Sequence, residues 1–244
     1  MNTLIAPHST RITNELGSNT YAYEKGQMLR EALFIDDQDI AEFASHWHQL
    51  KIDKYMNDGG RYRYRRYSQL IKLRHSNELV LLPHEPYQQS MSVNSLNGGT
   101  LRYFEPMTDD FLTSPCLERL LVFLAYCFDD ILGEANDWNI KLHPYRILAN
   151  DEAGQPTPEG LHRDGVTFIS SLLIARHNIR GGTTTITDNQ CKKLEEITMT
   201  DAWDIIIAND AQSMHQVSEI TRENVEFDAY RDVLVIAFTK IEDK

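Results

Sequence analysis

The stretch LHRDGVTFISSLLIA, residues 161–175, begins with polar residues and ends in an apolar run. It belongs to a series of short apolar runs after residue 138 that are separated by turn-forming segments. The other runs are WNIKLHPYRIL (138–148), TTTIT (183–187), DAWDIIIAND (201–210), SMHQVSEI (213–220) and YRDVLVIAFTK (230–240). Strands at this spacing are typical of antiparallel sandwiches and barrels. The sequence therefore predicts a mainly β protein whose strands lie in the C-terminal half.

Two segments of the N-terminal half carry helical patterns. DDQDIAEFASHWHQL (36–50) spaces its apolar residues along one helical face and opens on acidic capping residues. SPCLERLLVFLAYCFDDIL (114–132) is apolar nearly all round, with Ser114 placed to cap it and Pro115 at the first helical position. We expect these flanking helices to pack on a sheet. Residues 1–244 are predicted to form one domain, in which residues 1–20, polar and mixed, form a loose arm.

The composition excludes several classes of protein. The 244 residues carry a net charge of −12, which argues against a general affinity for nucleic acid or an anionic membrane. The three cysteines show no CxxC spacing, so a disulfide framework or a cysteine zinc site is not expected. No apolar run approaches the ~20 residues of a membrane span, and the N-terminus lacks a signal-peptide pattern. We expect a soluble, cytoplasmic protein.

An arginine-rich strand pattern occurs in DGGRYRYRRYSQLIKL (58–73), where a turn is followed by alternating arginine and tyrosine. One interpretation, which we favour at this point, is a solvated arginine face opposite an aromatic face. The other is a basic wall that lines an anion-binding opening.

His162 and Asp164 lie two residues apart in a segment whose pattern predicts a strand. Residues i and i+2 of a strand point to the same side, so both side chains could bind one metal ion. His215, which follows the apolar run DIIIAND, is placed to supply a third ligand through a Greek-key return. Two imidazoles and one carboxylate form the ligand set of non-haem Fe(II) oxygenases. Either histidine alone would more commonly be structural, but their coincidence favours iron.

Arg231 stands at the head of the otherwise apolar last run, YRDVLVIAFTK. A charged residue that points into a barrel is costly without a partner, and arginine binds a carboxylate through two parallel hydrogen bonds. The C5 carboxylate of 2-oxoglutarate is a suitable partner, with its keto acid end on the iron. The alternative is a surface pair with Asp204 or Asp232.

Arg146 and Tyr145, in HPYRI, are candidates for binding the carboxylate of a substrate or co-substrate. The equally acceptable alternative is that they face solvent at a strand edge. Four other histidines have no second potential metal ligand in a comparable pattern beside them and are interpreted as structural. They are His46, His48, His143 and His177.

In its most distinctive motifs the chain resembles the Fe(II)/2-oxoglutarate dioxygenases related to bacterial L-isoleucine dioxygenase. The resemblance is carried by LHRDGVTFISSLLIARHNIRGG (161–182), MHQV (214–217) and YRDVLVIAFTK (230–240). Weaker similarity occurs in RYSQLIKL (66–73), DDFLTSPCLERLLVFL (109–124) and KLHPYRI (141–147). It thus extends over most of the chain beyond roughly residue 55, with its specific motifs in the last third.

The resemblance implies a double-stranded β-helix (a jelly-roll, cupin-like core) with N-terminal helices packed on one sheet. It implies an enzyme with His162, Asp164 and His215 as iron ligands and Arg231 as the 2-oxoglutarate anchor. The implied reaction uses O2 and hydroxylates an aliphatic C–H of a free L-amino acid similar to isoleucine, leucine or methionine, releasing succinate and CO2. Ascorbate is expected to stimulate it. The sequence does not fix the oligomeric state; a homodimer, as in relatives that pair through N-terminal helices, is one alternative.

Two questions remain open at the level of sequence. Related halogenases replace the carboxylate ligand with a small residue, so the presence of Asp164 favours hydroxylation. The same chemistry could act on a larger natural product or a protein side chain. A non-catalytic, cupin-like metal-binding module could also keep the histidines and the aspartate, but it would have no use for Arg231.

Overall fold

The computed structural model describes residues 5–56, 58–91 and 98–242. Its α-helices are α1 (Ile5–Asn19), α2 (Gly26–Leu33), α3 (Asp37–Ser45), α4 (Asp109–Leu112) and α5 (Pro115–Leu132), and a 3₁₀ turn at His46–Gln49 follows α3. Its strands are β1 (Tyr21–Glu24), β2 (Lys51–Ile52), β3 (Arg63–Arg65), β4 (Ser68–Lys72), β5 (Leu79–Leu81), β6 (Trp138–Leu148), β7 (Phe168–His177), β8 (Ile179–Gly181), β9 (Thr184–Asp188), β10 (Lys193–Ile197), β11 (Ile205–Asn209), β12 (Ser213–Val217), β13 (Ile220–Arg222) and β14 (Tyr230–Lys240). None of the described helices is long and apolar enough to cross a membrane.

The strands form antiparallel sheets that face each other. The large sheet has the order β1-β11-β7-β14-β6-β3-β2, with β4 paired to β6 and β5. A smaller sheet has the order β10-β9-β12, and β13 pairs with β8. Val233 and Ile206 of the large sheet share a buried cluster with Ile186 and Ile197 of the smaller one. The predicted mainly β fold with flanking helices is therefore confirmed.

The two faces of the large sheet have different partners. On β14 the alternate residues Leu234, Ile236 and Phe238 join the main hydrophobic core, which also contains α5 and residues of α1, α2 and α3. The residues that alternate with them line a cavity on the opposite face; they are Arg231, Val233, Val235 and Ala237. This follows from the two-residue period of a strand. The helices thus cover one face, as predicted, and the other face is free to form a site.

The main helices begin and end as their sequences require. Before α3 the Asp36 carboxylate accepts a hydrogen bond from the Asp39 N–H at 2.8 Å, in a capping box. Pro115 opens α5, and Gly133 ends it in the left-handed conformation. Ser114 occupies the predicted cap position, but its side chain forms no capping hydrogen bond, so that detail of the prediction is wrong.

The structure corrects two further expectations. The predicted loose arm is a helix over Ile5–Asn19, held to the core because Ile12 and Leu16 are buried; residues 1–4 lie outside the described residues. The arginine-rich segment forms two short strands, β3 and β4. The favoured interpretation placed the arginine face in solvent, whereas in β3 this face is buried. Arg63 and Arg65 are buried and line the cavity, so they form a basic wall there; binding of an anion by this wall stays a prediction.

Candidate active site

His162, Asp164 and His215 converge in the cavity between the two sheets. Asp164 Oδ2 lies 3.9 Å from His162 Nε2 and 3.5 Å from His215 Nε2. One potential ligand atom from each residue lies within 4.8 Å of the others. Two imidazoles and one carboxylate at such distances can hold a divalent metal ion on one side and leave its other side open.

The backbone fixes the two histidines relative to each other. His162 donates its N–H to the His215 carbonyl at 3.0 Å, and His215 donates its N–H to the His162 carbonyl at 2.9 Å. His162 Nδ1 lies 2.9 Å from the Gly160 carbonyl oxygen, which orients Nε2 towards the cavity. The predicted strand at this point is only this single bridge, because β7 begins at Phe168. The segment 162–164 nevertheless projects both ligands to one side.

Asp210 holds the loop that carries the carboxylate ligand. Its two carboxylate oxygens accept the backbone N–H groups of Asp164, Gly165 and Val166 at 2.9, 2.7 and 2.9 Å. Burial raises the pKa of Asp210, and the charge of Asp164 acts in the same direction. Three consecutive donors compensate a buried carboxylate, so Asp210 positions the loop. No pattern in the sequence around Asp210 pointed to this role.

The pKa values of the two histidines shift in opposite directions. Burial lowers the pKa of His215 to about 3, and the neighbouring His162 adds to the effect. For His162 burial also acts to lower the pKa, but the charges of Asp164 and Glu159 outweigh it and the net shift is upward. The neutral imidazole of His215 is the form that binds a metal ion.

Arg231 reaches the same cavity from the start of β14. It is 2% exposed, and its Nε and Nη2 atoms have no hydrogen-bond partner. Burial lowers the pKa of Arg231 to about 10, and the charge of the nearby cation Arg176 adds to this shift. The surface pair with Asp204 or Asp232 is therefore absent. A buried guanidinium without an anion is the feature expected of a site for an anionic ligand.

The cavity has a volume of about 320 Å³ and contains further cations. Arg63, Arg65, Arg102 and Lys141 line it together with His143. Arg63 pairs with the buried Asp53, at 2.7 Å between Nη2 and Oδ2. From sequence His143 was interpreted as structural, Arg63 and Arg65 lay in the alternative basic wall, and no pattern pointed to Arg102 or Lys141.

The two tentative substrate residues separate in the structure. Tyr145 lines the cavity, whereas Arg146 does not appear among the lining residues in the described part of the chain. Arg146 instead binds Asp232 through two hydrogen bonds of 2.8 and 2.6 Å on the other face of the sheet. Adjacent residues of a strand point to opposite faces, so the prediction for Arg146 is wrong.

Comparisons with known proteins agree with this geometry. The profile of the family described as 2OG-Fe dioxygenase matches residues 44–237. The L-isoleucine-4-hydroxylase of Bacillus thuringiensis is 26% identical over 202 residues, covering 81% of this chain and 82% of that protein. The 3(1)-hydroxy-L-isoleucine 4-dioxygenase of Pantoea ananatis is 24% identical over 217 residues, covering 86% of this chain and 84% of that protein.

A similar fold is found in a crystal structure of a BsmA homologue from Methylobium petroleophilum. The two structures share a TM-score of 0.87 at 28% identity, over 95% of this chain and 92% of the other. The jelly-roll core implied by the sequence resemblance is confirmed by such neighbours. Because the family profile spans most of the chain, the protein belongs to the 2OG-Fe dioxygenase family.

Proposed function

We propose that the protein hydroxylates an aliphatic C–H bond of a free L-amino acid, with 2-oxoglutarate and O2 as co-substrates and succinate and CO2 as further products. The observation that carries this proposal is the shared cavity. It holds the triad of His162, Asp164 and His215 together with Arg231, a buried guanidinium that lacks an anionic partner. A metal-binding module without turnover would have no use for that guanidinium.

The residues divide the work as follows. His162, Asp164 and His215 would hold Fe(II), and Arg231 would bind the C5 carboxylate of 2-oxoglutarate. When bound, Fe(II) would supply the activation of O2 that the oxidation of an unactivated C–H bond requires. Asp210 keeps the Asp164 loop in place, and the apolar residues of β14 exclude water from the reacting centre. Asp164 occupies the ligand position that halogenases leave open, which supports hydroxylation.

A free amino acid is supported by two observations. The names of the two relatives refer to isoleucine and a hydroxyisoleucine. The cavity of about 320 Å³ is near the lower end of the volumes of small-molecule sites. The names of the relatives and the volume of the cavity both favour a small free substrate over a protein side chain. We also propose that residues 1–244 act as one catalytic domain.

The test is succinate release by the purified protein with Fe(II), ascorbate, 2-oxoglutarate and O2, against a panel of free L-amino acids. We expect one or a few aliphatic members to stimulate release strongly, with a product that is one oxygen atom heavier. Release that no amino acid stimulates would point to a larger substrate. If 2-oxoglutarate neither binds nor turns over, the enzyme assignment is wrong.

The variant His215→Ala tests the metal ligands separately. It removes one of the three donors, so we expect loss of both turnover and tight Co(II) binding. His177→Ala is a matched control, because His177 lies at the end of β7 and is exposed. Normal Co(II) binding by His215→Ala would exclude His215 from the metal site.

A further inference from the structure

The cavity contains a group of cations separate from Arg231, which we call the cationic cluster: Arg65, Arg102 and Lys141. All three lie around the ring of Tyr87, at 5.7 Å for Arg65, 4.7 Å for Arg102 and 5.8 Å for Lys141. Arg65 and Arg102 are 2% and 3% exposed. Three positive charges are thus gathered at one side of a small cavity.

The cluster lacks the negative charge that would balance it. Asp53 is the carboxylate that reaches Arg65, at 3.9 Å, but it is already bound by Arg63 at 2.7 Å. Arg102 and Lys141 form no ion pair in the described part of the chain. The Nε atoms of Arg65 and Arg102 are buried without a hydrogen-bond partner. Unpaired buried cations are costly, so this arrangement indicates a site for an anion.

The neighbouring histidine does not supply the missing charge. Arg65 donates a hydrogen bond to His143 Nδ1 at 2.5 Å. Burial lowers the pKa of His143 well below its usual value, and the charge of Arg65 adds to this shift. His143 is therefore neutral and serves as an acceptor that orients one side of the Arg65 guanidinium. The other donors of the cluster remain available to a ligand.

The cluster extends along the cavity away from Arg231. Arg65 is opposite Tyr145, which pairs with Val233, and Lys141 lies farther from Arg231. On the paired strands β6 and β14, Arg231 is opposite Ile147, whereas Lys141 is opposite Ala237. Six residues separate these positions, or about 20 Å along the strands. The cluster is nevertheless close to the metal site, because Arg102 binds Gln89 at 2.9 Å and Gln89 lies 3.5 Å from Asp164. A molecule bound there would be presented to the metal from the side remote from Arg231.

We propose that Arg65, Arg102 and Lys141 bind the carboxylate of the substrate. This inference rests on the proposed function in one respect only, that the substrate is an amino acid. It makes the enzyme selective for a free carboxylate, so an amino acid whose carboxyl group is in a peptide or amide bond is a poor ligand. Guanidinium and ammonium groups bind carboxylates through charge-assisted hydrogen bonds, which supply both affinity and orientation.

The test is calorimetric binding without O2, so that affinity is measured in the absence of turnover. The protein is loaded with Fe(II) and 2-oxoglutarate. The ligands are the amino acid that stimulates succinate release most, its carboxamide, and 4-methylpentanoate, an aliphatic carboxylate without an amino group. The variants are Arg102→Gln and Lys141→Gln, with Lys141→Arg as the conservative change. Lys72→Gln is the matched control, because Lys72 is a lysine of the same sheet outside the cavity lining.

We expect each glutamine variant to weaken binding of the acid by roughly tenfold to a hundredfold, the effect of losing a charge-assisted hydrogen bond. Lys141→Arg should restore most of the affinity, and Lys72→Gln should leave it unchanged. The carboxamide should bind weakly to all variants alike, and the Kd of 2-oxoglutarate should not change. Lys141 is only partly buried, so its variant gives a result even if Arg102→Gln fails to fold.

Two results would overturn the carboxylate site: equal affinity of the wild type for acid and carboxamide, or an unchanged Kd of the acid in Lys141→Gln. Absence of binding by either carboxylate to the wild type would have the same meaning. The amino-acid assignment can fail separately. In that case no amino acid stimulates succinate release, and 4-methylpentanoate serves as the probe. The wild type should still bind 4-methylpentanoate, and Lys141→Gln should bind it about tenfold more weakly.

Discussion

Replacement of Arg231 by methionine should stabilise the protein in the absence of 2-oxoglutarate. Burial lowers the pKa of the guanidinium from 12.5 to about 10, and Arg176 adds to the effect. One pKa unit corresponds to ~1.4 kcal/mol, so the folded state disfavours this charge by about 3 kcal/mol. At neutral pH, below both pKa values, the guanidinium is charged in the folded and the unfolded chain. The full penalty is therefore present and is relieved only as the pH rises through 10.

Methionine is unbranched and adaptable, so it can occupy most of the vacated space without a charge. A gain of up to about 3 kcal/mol corresponds to a rise in Tm of up to roughly 10 °C for a chain of this size. The co-substrate should stabilise the wild type but not the variant. At a hundredfold excess over its Kd, 2-oxoglutarate should add ~2.7 kcal/mol to the wild type. It should add nothing to Arg231→Met.

The assay is thermal unfolding of both proteins with and without 2-oxoglutarate. Arg176→Met is the control, because Arg176 donates to the carbonyl oxygens of Gly181 and Ile179 at 2.8 and 3.2 Å and its loss should lower the Tm. A lower Tm for Arg231→Met without co-substrate would refute the argument that its charge is unpaired. An undiminished shift with 2-oxoglutarate would refute its assignment as the anchor.

Further predictions concern buried carboxylates around the sheet. Asp210→Asn should weaken Co(II) binding by roughly tenfold to a hundredfold in a spectroscopic titration, because three backbone donors lose their charged acceptor. Arg146→Ala should lower the free energy of unfolding in urea by about 3 kcal/mol, since it leaves Asp232 buried and unpaired; the KM for the amino acid should not change. For Asp204, burial acts to raise the pKa, but backbone N–H groups, beginning with that of Gly26, outweigh it and the net pKa is lowered. Its stabilisation is present above the ordinary carboxyl pKa and is lost as pH falls through the lower folded value, so the difference in stability from Asp204→Asn should disappear in acid.

The sequence brought the candidate metal ligands together because the pattern that suggests them is local. His162 and Asp164 share a side by their two-residue separation, and His215 and Arg231 each stand next to an apolar run that fixes a strand. The same rule could have excluded Arg146 once Tyr145 was chosen, because adjacent residues of a strand cannot face one cavity.

Other features depend on contacts that no local pattern contains. Asp210 acts through a loop far from it in sequence. Arg102 reaches the site through the bridge that pairs it with Tyr87 and through its hydrogen bond to Gln89. The prediction of which face of β3 is buried failed for a different reason. Arginine and tyrosine both have an apolar stem and a polar end, so their alternation gives the period of the strand but does not tell which face is buried.

The division of the large sheet into two faces has a consequence for how the protein can change. On β14 the residues that line the cavity alternate with those that pack on the helices. A substitution at Val233 or Val235 alters the shape of the cavity, while Leu234 and Ile236 continue to hold the helical layer. New substrate preferences can therefore arise by exchanging cavity-facing residues, above all the partly buried Val235, while the contacts with the helical layer are kept. Libraries restricted to the cavity-facing positions of β6 and β14 would explore specificity with few unfolded members.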